Sequence, residues 1–160
     1  MKTQESIKQS IDMADMVCMS YLADMSESEL MIRPHAECNH LNWQLGHLIE
    51  SEHGMIEKIR PGTMPALPNG FADKYTKETA GIDNQSAFSS KEELMSTYKA
   101  QRAGTLAVLA KTSEQEMDAP TGVDFAPTVG AMFVLQGSHW LMHCGQWVIV
   151  RRSLGKPIVI

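Results

Sequence analysis

Only three cysteines, Cys18, Cys38 and Cys144, occur in the 160 residues. An odd number, widely spaced and without a CxxC pair, excludes a disulfide framework. A reducing, cytoplasmic setting is the expectation. Aromatic residues are scarce at 6% and β-branched runs are few, which argues against an all-β fold. Positive charge is not in excess: 14 Lys and Arg stand against 19 Asp and Glu, a net charge of −5. Non-specific gripping of nucleic-acid phosphates is therefore not expected. No run of about 18 apolar residues is present, so no membrane span is expected either. The start, Met1-Lys2-Thr3-Gln4-Glu5, turns polar at once and lacks the apolar stretch of a signal peptide. What remains is a chain with 43% hydrophobic and 21% charged residues, too apolar for disorder. Its length fits one domain, residues 1–160, with a core of its own.

Four segments carry helical periodicity. The first, about 3–25, places Ile7, Ile11, Ala14, Cys18, Tyr21, Leu22 and Met25 on one stripe. The second, about 40–60, does the same with Leu41, Leu45, Leu48, Met55 and Ile59, and Pro61-Gly62 stops it. The third, about 90–111, has Leu94, Tyr98, Gln101, Thr105, Val108 and Leu109, with Ser90 and Glu93 in capping-box register. The fourth, about 128–154, is opened by Pro127 and closed by Gly155-Lys156-Pro157. It is apolar on nearly every side, the mark of a buried helix.

Two short pieces resemble one another. Ser26-Glu-Ser-Glu-Leu30 runs to Pro34, and Ser113-Glu-Gln-Glu-Met117 runs to Pro120. Each precedes a polar loop and a long helix. The chain thus reads as helix, capped turn, loop, helix, twice over, and two such halves make an all-α four-helix bundle. An orthogonal array of four helices satisfies the same periodicity. Residues 61–89, rich in Pro, Gly, Asn and Ser, are long for a bundle connection. They read equally as a solvated linker and as a functional flap.

The fourth segment contains His139-Trp-Leu-Met-His143. Residues four apart share a helix face, with Cβ atoms about 5–6 Å apart, so two imidazoles there can reach one cation through bonds of about 2.0–2.1 Å. Two core histidines satisfied by hydrogen bonds have the same spacing. A third ligand must come from elsewhere, and the second segment offers His40, His47 and His53. His47 flanks the apolar stripe, and Gly46 before it leaves room for a neighbouring helix. His40 lies on nearly the same face, and Cys38-x-His40 forms a loop pair. His53 points about 120° away, towards solvent by this reading.

Taken together, Asn42-Trp-Gln-Leu-Gly-His47-Leu, His139-x-x-x-His143-x-Gly145-Gln146 and Arg151-Arg-x-Leu-Gly-Lys-Pro157 resemble the DinB/YfiT-like superfamily of metalloenzymes over nearly the whole chain. The resemblance implies a four-helix bundle with up-down-down-up connection, in which 61–89 is the long crossover between helices 2 and 3. It implies a metal site on His47, His139 and His143, and a homodimer. It leaves the metal open among divalent transition ions such as zinc, nickel and iron.

Three imidazoles leave a divalent metal with open positions, as in catalytic sites. Such a metal lowers the pKa of bound water or holds a thiol as thiolate. Two reaction classes on a small molecule follow: metal-assisted hydrolysis, and transfer from a low-molecular-weight thiol, which the resemblance favours. A non-catalytic metal-binding or stress-related dimeric module is the alternative, since no obvious acid or base accompanies the histidines. Gln146 and Glu52 are the supporting candidates. Gln146 lies near His143 on the ligand side, where it can steady a ligand or pack between helices. Glu52 falls inside an apolar stripe, where a carboxylate needs a partner; an Arg of another helix serves that need better than a ligand histidine does. Cys144 follows a ligand position but diverges from it by 100°, and reads as a small buried hydrophobe.

Overall fold

In the computed structural model, which describes residues 2–159, helices start where side chains accept the first free N–H groups. Helix α1 spans Thr3–Leu22. Helix α2, Leu41–Ile59, is capped by the His40 ring, whose Nδ1 accepts from Trp43 N at 3.0 Å. Helix α3, Lys91–Lys111, is capped by Ser90, and the short α4, Glu114–Met117, by a complete capping box of Ser113 and Glu116. Helix α5, Val129–Ser153, begins one residue inside Thr128, which caps it through Ala131 N. Gly155, at φ 67°, turns the chain out of α5, a conformation that favours glycine. Ser26 and Glu29 bond reciprocally around a single 3-10 turn, Glu29–Met31. The described residues contain no strand beyond an isolated bridge between Pro120 and Thr128.

Side-chain contacts give the helix directions. Gly137 of α5 lies against Ser10, Ile11 and Ala14 of α1, and Arg151 reaches Tyr21 and Asp24, so α1 and α5 run the same way. Asn42 meets Ser89, and Glu52 meets Thr105, so α2 and α3 also run together. Gln44 touches Trp147 while Met55 touches Gln136, so α2 opposes α5. The core between them holds Leu22, Leu45, Leu48, Leu94, Trp140 and Trp147, all buried.

A charged cluster crosses this core. Arg102 of α3 is 4% exposed and Glu52 of α2 is 1% exposed. Arg102 lies 3.1 Å from Glu52 and 3.2 Å from Asp15 of α1, and it donates to the Gln136 carbonyl at 3.2 Å. Thr105 donates to Glu52 at 2.6 Å. Burial raises the Glu52 pKa, with Arg102 and Thr105 opposing it. Glu52 thus takes the structural role, pairing with an Arg of another helix.

Two expectations are corrected. Helix α5 is not buried all round: Val134, Leu141, Met142 and Ile149 are exposed. Their spacing gathers them on one face. Because α5 packs chiefly on α1 and α2, a face is left over. Gly46 makes room not for a helix but for Tyr75 of the crossover, whose ring would lie 2.2 Å from a Cβ placed there. Tyr75 is buried and bonded to Asn42 and Ser89. Phe71 and Phe88 are buried beside it, so three rings anchor the 61–89 stretch as a cover over the start of α2, while most of its other residues are exposed.

Candidate metal centre

Helices α2 and α5 bring three imidazoles together. Ring centroids lie 5.5 Å apart for His47 and His139, 5.8 Å for His47 and His143, and 5.0 Å for His139 and His143. One ring nitrogen from each lies within 4.8 Å of the others. Two nitrogens bound tetrahedrally to one ion at about 2.05 Å stand about 3.4 Å apart. The difference is of a size that side-chain torsions absorb.

The surroundings orient two of the rings. The Trp43 indole stacks on His47 at 5.1 Å and 11°, itself held by its N–H to Thr76 and Thr79 of the crossover. His143 Nδ1 lies 3.0 Å from Gln44 Oε1. That oxygen can only accept, so Nδ1 carries the proton and Nε2 keeps its lone pair. The same oxygen accepts from Trp147 Nε1 at 3.0 Å. The Gln44 amide nitrogen donates to Asn39 O at 2.7 Å and Gln146 Oε1 at 3.1 Å. Gln44, 1% exposed, is the residue that sequence reasoning missed. Gln146, a candidate in its own right, bonds to Gln44 and reaches His143 only through it.

The ring of neither His47 nor His139 hydrogen bonds to a protein group among the described residues. Burial lowers the pKa of all three rings, with mutual repulsion adding to it at His139 and His143, which fall to about 4. At neutral pH the cluster is three neutral imidazoles with open lone pairs, the donor set a transition ion takes. The donor set therefore fits a divalent metal.

The other histidines are occupied. His40 is fully buried, with Nδ1 on Trp43 N and Nε2 3.1 Å from Ile82 O, so the Cys38-x-His40 pair does not form a ligand set. His53 does not face open solvent: its Nδ1 lies 3.0 Å from Gln101 Oε1 of α3. Cys144 is buried and free. It meets Cys18, whose thiol is pushed up by that contact and by burial, while the same contact draws the Cys144 thiol down against its own burial; Cys18 is therefore no activated nucleophile, and Cys144 is shut away from solvent. Arg151, near the end of α5, is buried. It ties α5 to Tyr21 O, Asp24 and Pro157 O.

Two clefts meet at His47. One, of about 380 Å³, is lined by His47, His139, Ser51, Met55, Leu135 and Phe125. The other, of about 420 Å³, has Trp43, Glu50, Asp73 and Lys77 in its walls.

The arrangement defines an all-helical protein with a three-histidine cluster, open to solvent on two sides and suited to binding a metal. A family model of the DinB superfamily matches residues 11–147, a span that includes all three histidines, and the chain belongs to that superfamily. Comparisons with curated proteins and with solved structures give no match. No helix among the described residues is long and apolar enough to cross a membrane.

Proposed function

We propose that the chain is a metal-dependent enzyme in which His47, His139 and His143 hold one divalent transition ion and act on a small molecule, by thiol-dependent S-transfer or by metal-assisted hydrolysis. The observation that carries this reading is the convergence of three neutral, half-buried imidazoles from two helices, with two clefts opening beside them. A fourth protein ligand, which a closed structural site would need, is missing from the cluster among the described residues. A divalent ion so held acidifies a water or a small thiol. Around it, Trp43 fixes the His47 ring plane, and Gln44 holds the proton on His143 Nδ1.

Glu52 is committed to Arg102 and Thr105, so it does not serve as a base at the cluster. That observation favours a second reading, a metal-binding module without turnover. A screen of small thiols with electrophiles, and of simple esters, on zinc-restored protein separates the two. Turnover lost in His139→Ala supports the enzyme, and no turnover with any thiol or ester supports the module. A second copy of the chain is the partner we assign to the outer face of α5. Met142 is 62% and Ile149 54% exposed there, while neighbouring α1 exposes Met13 and Met16. Apolar exposure of this extent marks an interaction surface, and sedimentation as a monomer would contradict the assignment.

A further inference from the structure

The two clefts at His47 differ in character. The one between α2, α5 and the loop before α5 has a single hydroxyl, Ser51, and no ionisable side chain apart from His47 and His139. Met55, Leu135 and Phe125 supply the rest. The other cleft carries Glu50, Asp73 and Lys77.

Phe125 is the odd residue. It is 70% exposed, where a polar side chain would be expected, yet its loop does not leave it free. Ala126 N donates to Val123 O at 3.1 Å, closing a turn with Phe125 at its tip. Thr121 N donates to Pro127 O at 3.1 Å, and the Thr121 hydroxyl bonds to Ala126 O and accepts from Val123 N. Ala126 is fully buried. An exposed aromatic ring is thus held on a pinned turn beside two of the three imidazoles. Across the cleft, Met55 is steadied by Gln136, whose amide nitrogen lies 3.5 Å from its sulfur. A methionine wall adapts to ligands of differing shape.

We propose that this cleft receives an uncharged, apolar group of the substrate, aromatic or branched aliphatic, and that Phe125 covers that group and sets which substrates are accepted. The proposal rests on the metal reading for where the reacting atom lies, but the cleft's preference does not need the ion. A concave site with apolar walls and a few polar groups, here Ser51 and the two imidazoles, is the common form of a ligand pocket. The absence of lining charge disfavours a substrate whose tail is a carboxylate or ammonium, since either would lose water without gaining a partner.

The test uses the full chain carrying ¹³C-methyl Met and Leu. Zinc-free protein is titrated with benzyl alcohol and, separately, with benzoate. Zinc-loaded protein is titrated with acetohydroxamate and benzohydroxamate. Benzyl alcohol is expected to move the Met55 and Leu135 methyl signals, with benzoate weaker by about tenfold or more. Benzohydroxamate is expected to bind about tenfold more tightly than acetohydroxamate, the gain of enclosing one ring. Phe125→Ala closes most of both gaps while zinc affinity stays unchanged, and Leu135→Asn does the same from the opposite wall. Equal binding within each pair overturns the proposal. So do shifts confined to Met13 and Met142 on the outer face, or a Phe125→Ala effect on self-association alone. Failure to take up zinc, with the benzyl alcohol preference intact, sinks the metal reading and leaves the cleft assignment standing.

Discussion

Replacing Gln44 by Leu removes one buried amide on which four groups depend. His143 Nδ1 and Trp147 Nε1 lose their acceptor, and Asn39 O and Gln146 lose their donor. Trp147 is fully buried, so its N–H cannot turn to water, and an unsatisfied buried donor costs about 1–3 kcal/mol. Asn39 and Gln146 are only part-buried, so solvent replaces much of their loss. Leucine recovers some apolar contact, which offsets part of the loss at the half-buried His143, and a net destabilisation of about 1–3 kcal/mol is expected. The larger consequence falls on His143. Without the amide oxygen the ring is free to rotate and to place its proton on either nitrogen. Loss of such an orienting partner lowers metal affinity by about 10–100-fold. Gln44→Glu keeps an acceptor for both N–H groups and is expected to retain zinc binding better than Gln44→Leu, though Asn39 O then faces a carboxylate. Competition with a chromogenic chelator gives the affinity, and urea unfolding gives the stability. Zinc affinity of Gln44→Leu within twofold of the wild type would refute the orienting role. A loss of stability without loss of affinity would reduce Gln44 to a packing amide.

Three further outcomes follow from particular contacts. Gly46→Ala puts a methyl 2.2 Å from the buried Tyr75 ring; overpacking of this kind costs about 1–3 kcal/mol, and an unchanged urea midpoint would contradict the packing described. Arg102→Met leaves Glu52 and Asp15 without their cation and should destabilise by about 3–5 kcal/mol; adding Glu52→Leu should recover much of it, and a double variant no more stable than the single one counts against the pairing. In the metal-free protein, His139 and His143 hold pKa values of about 4, against about 6.5 unfolded. The unfolded chain therefore binds more protons between those values, so stability is full above about pH 6.5 and is lost as pH falls towards 4. Proton NMR of the imidazole rings checks this, and titration of both near 6.5 would refute it.

Helix ends were legible because they depend on local chemistry. Ser90, Ser113 with Glu116, and Pro61-Gly62 each act within one turn of where they stand, and the structure places the boundaries within one to three residues of them. His139 and His143 were legible as a pair because four residues bring them to one face, and His47 because family motifs point to it. Gln44 was not, since an amide inside an apolar stripe has no period of its own, and its value comes from two residues about a hundred positions away. Arg102 was invisible for the same reason: its partners lie on α1 and α2. The outer face of α5 could not be told from its inner face by sequence, because apolar residues surround the helix and only the packing of α1 and α2 chooses between them. The 61–89 cover was equally hidden, for a Pro- and Gly-rich composition hides the three aromatic anchors Phe71, Tyr75 and Phe88.

Metal content tests the central claim most directly. Protein purified without an immobilised-metal column, and analysed for transition elements, should carry about one divalent ion per chain. His47→Ala and His143→Ala should each lose it while keeping the helical spectrum of the wild type. Protein that holds no transition metal, and whose melting temperature does not move when zinc, nickel or iron is added, would contradict the claim that the three imidazoles serve one ion.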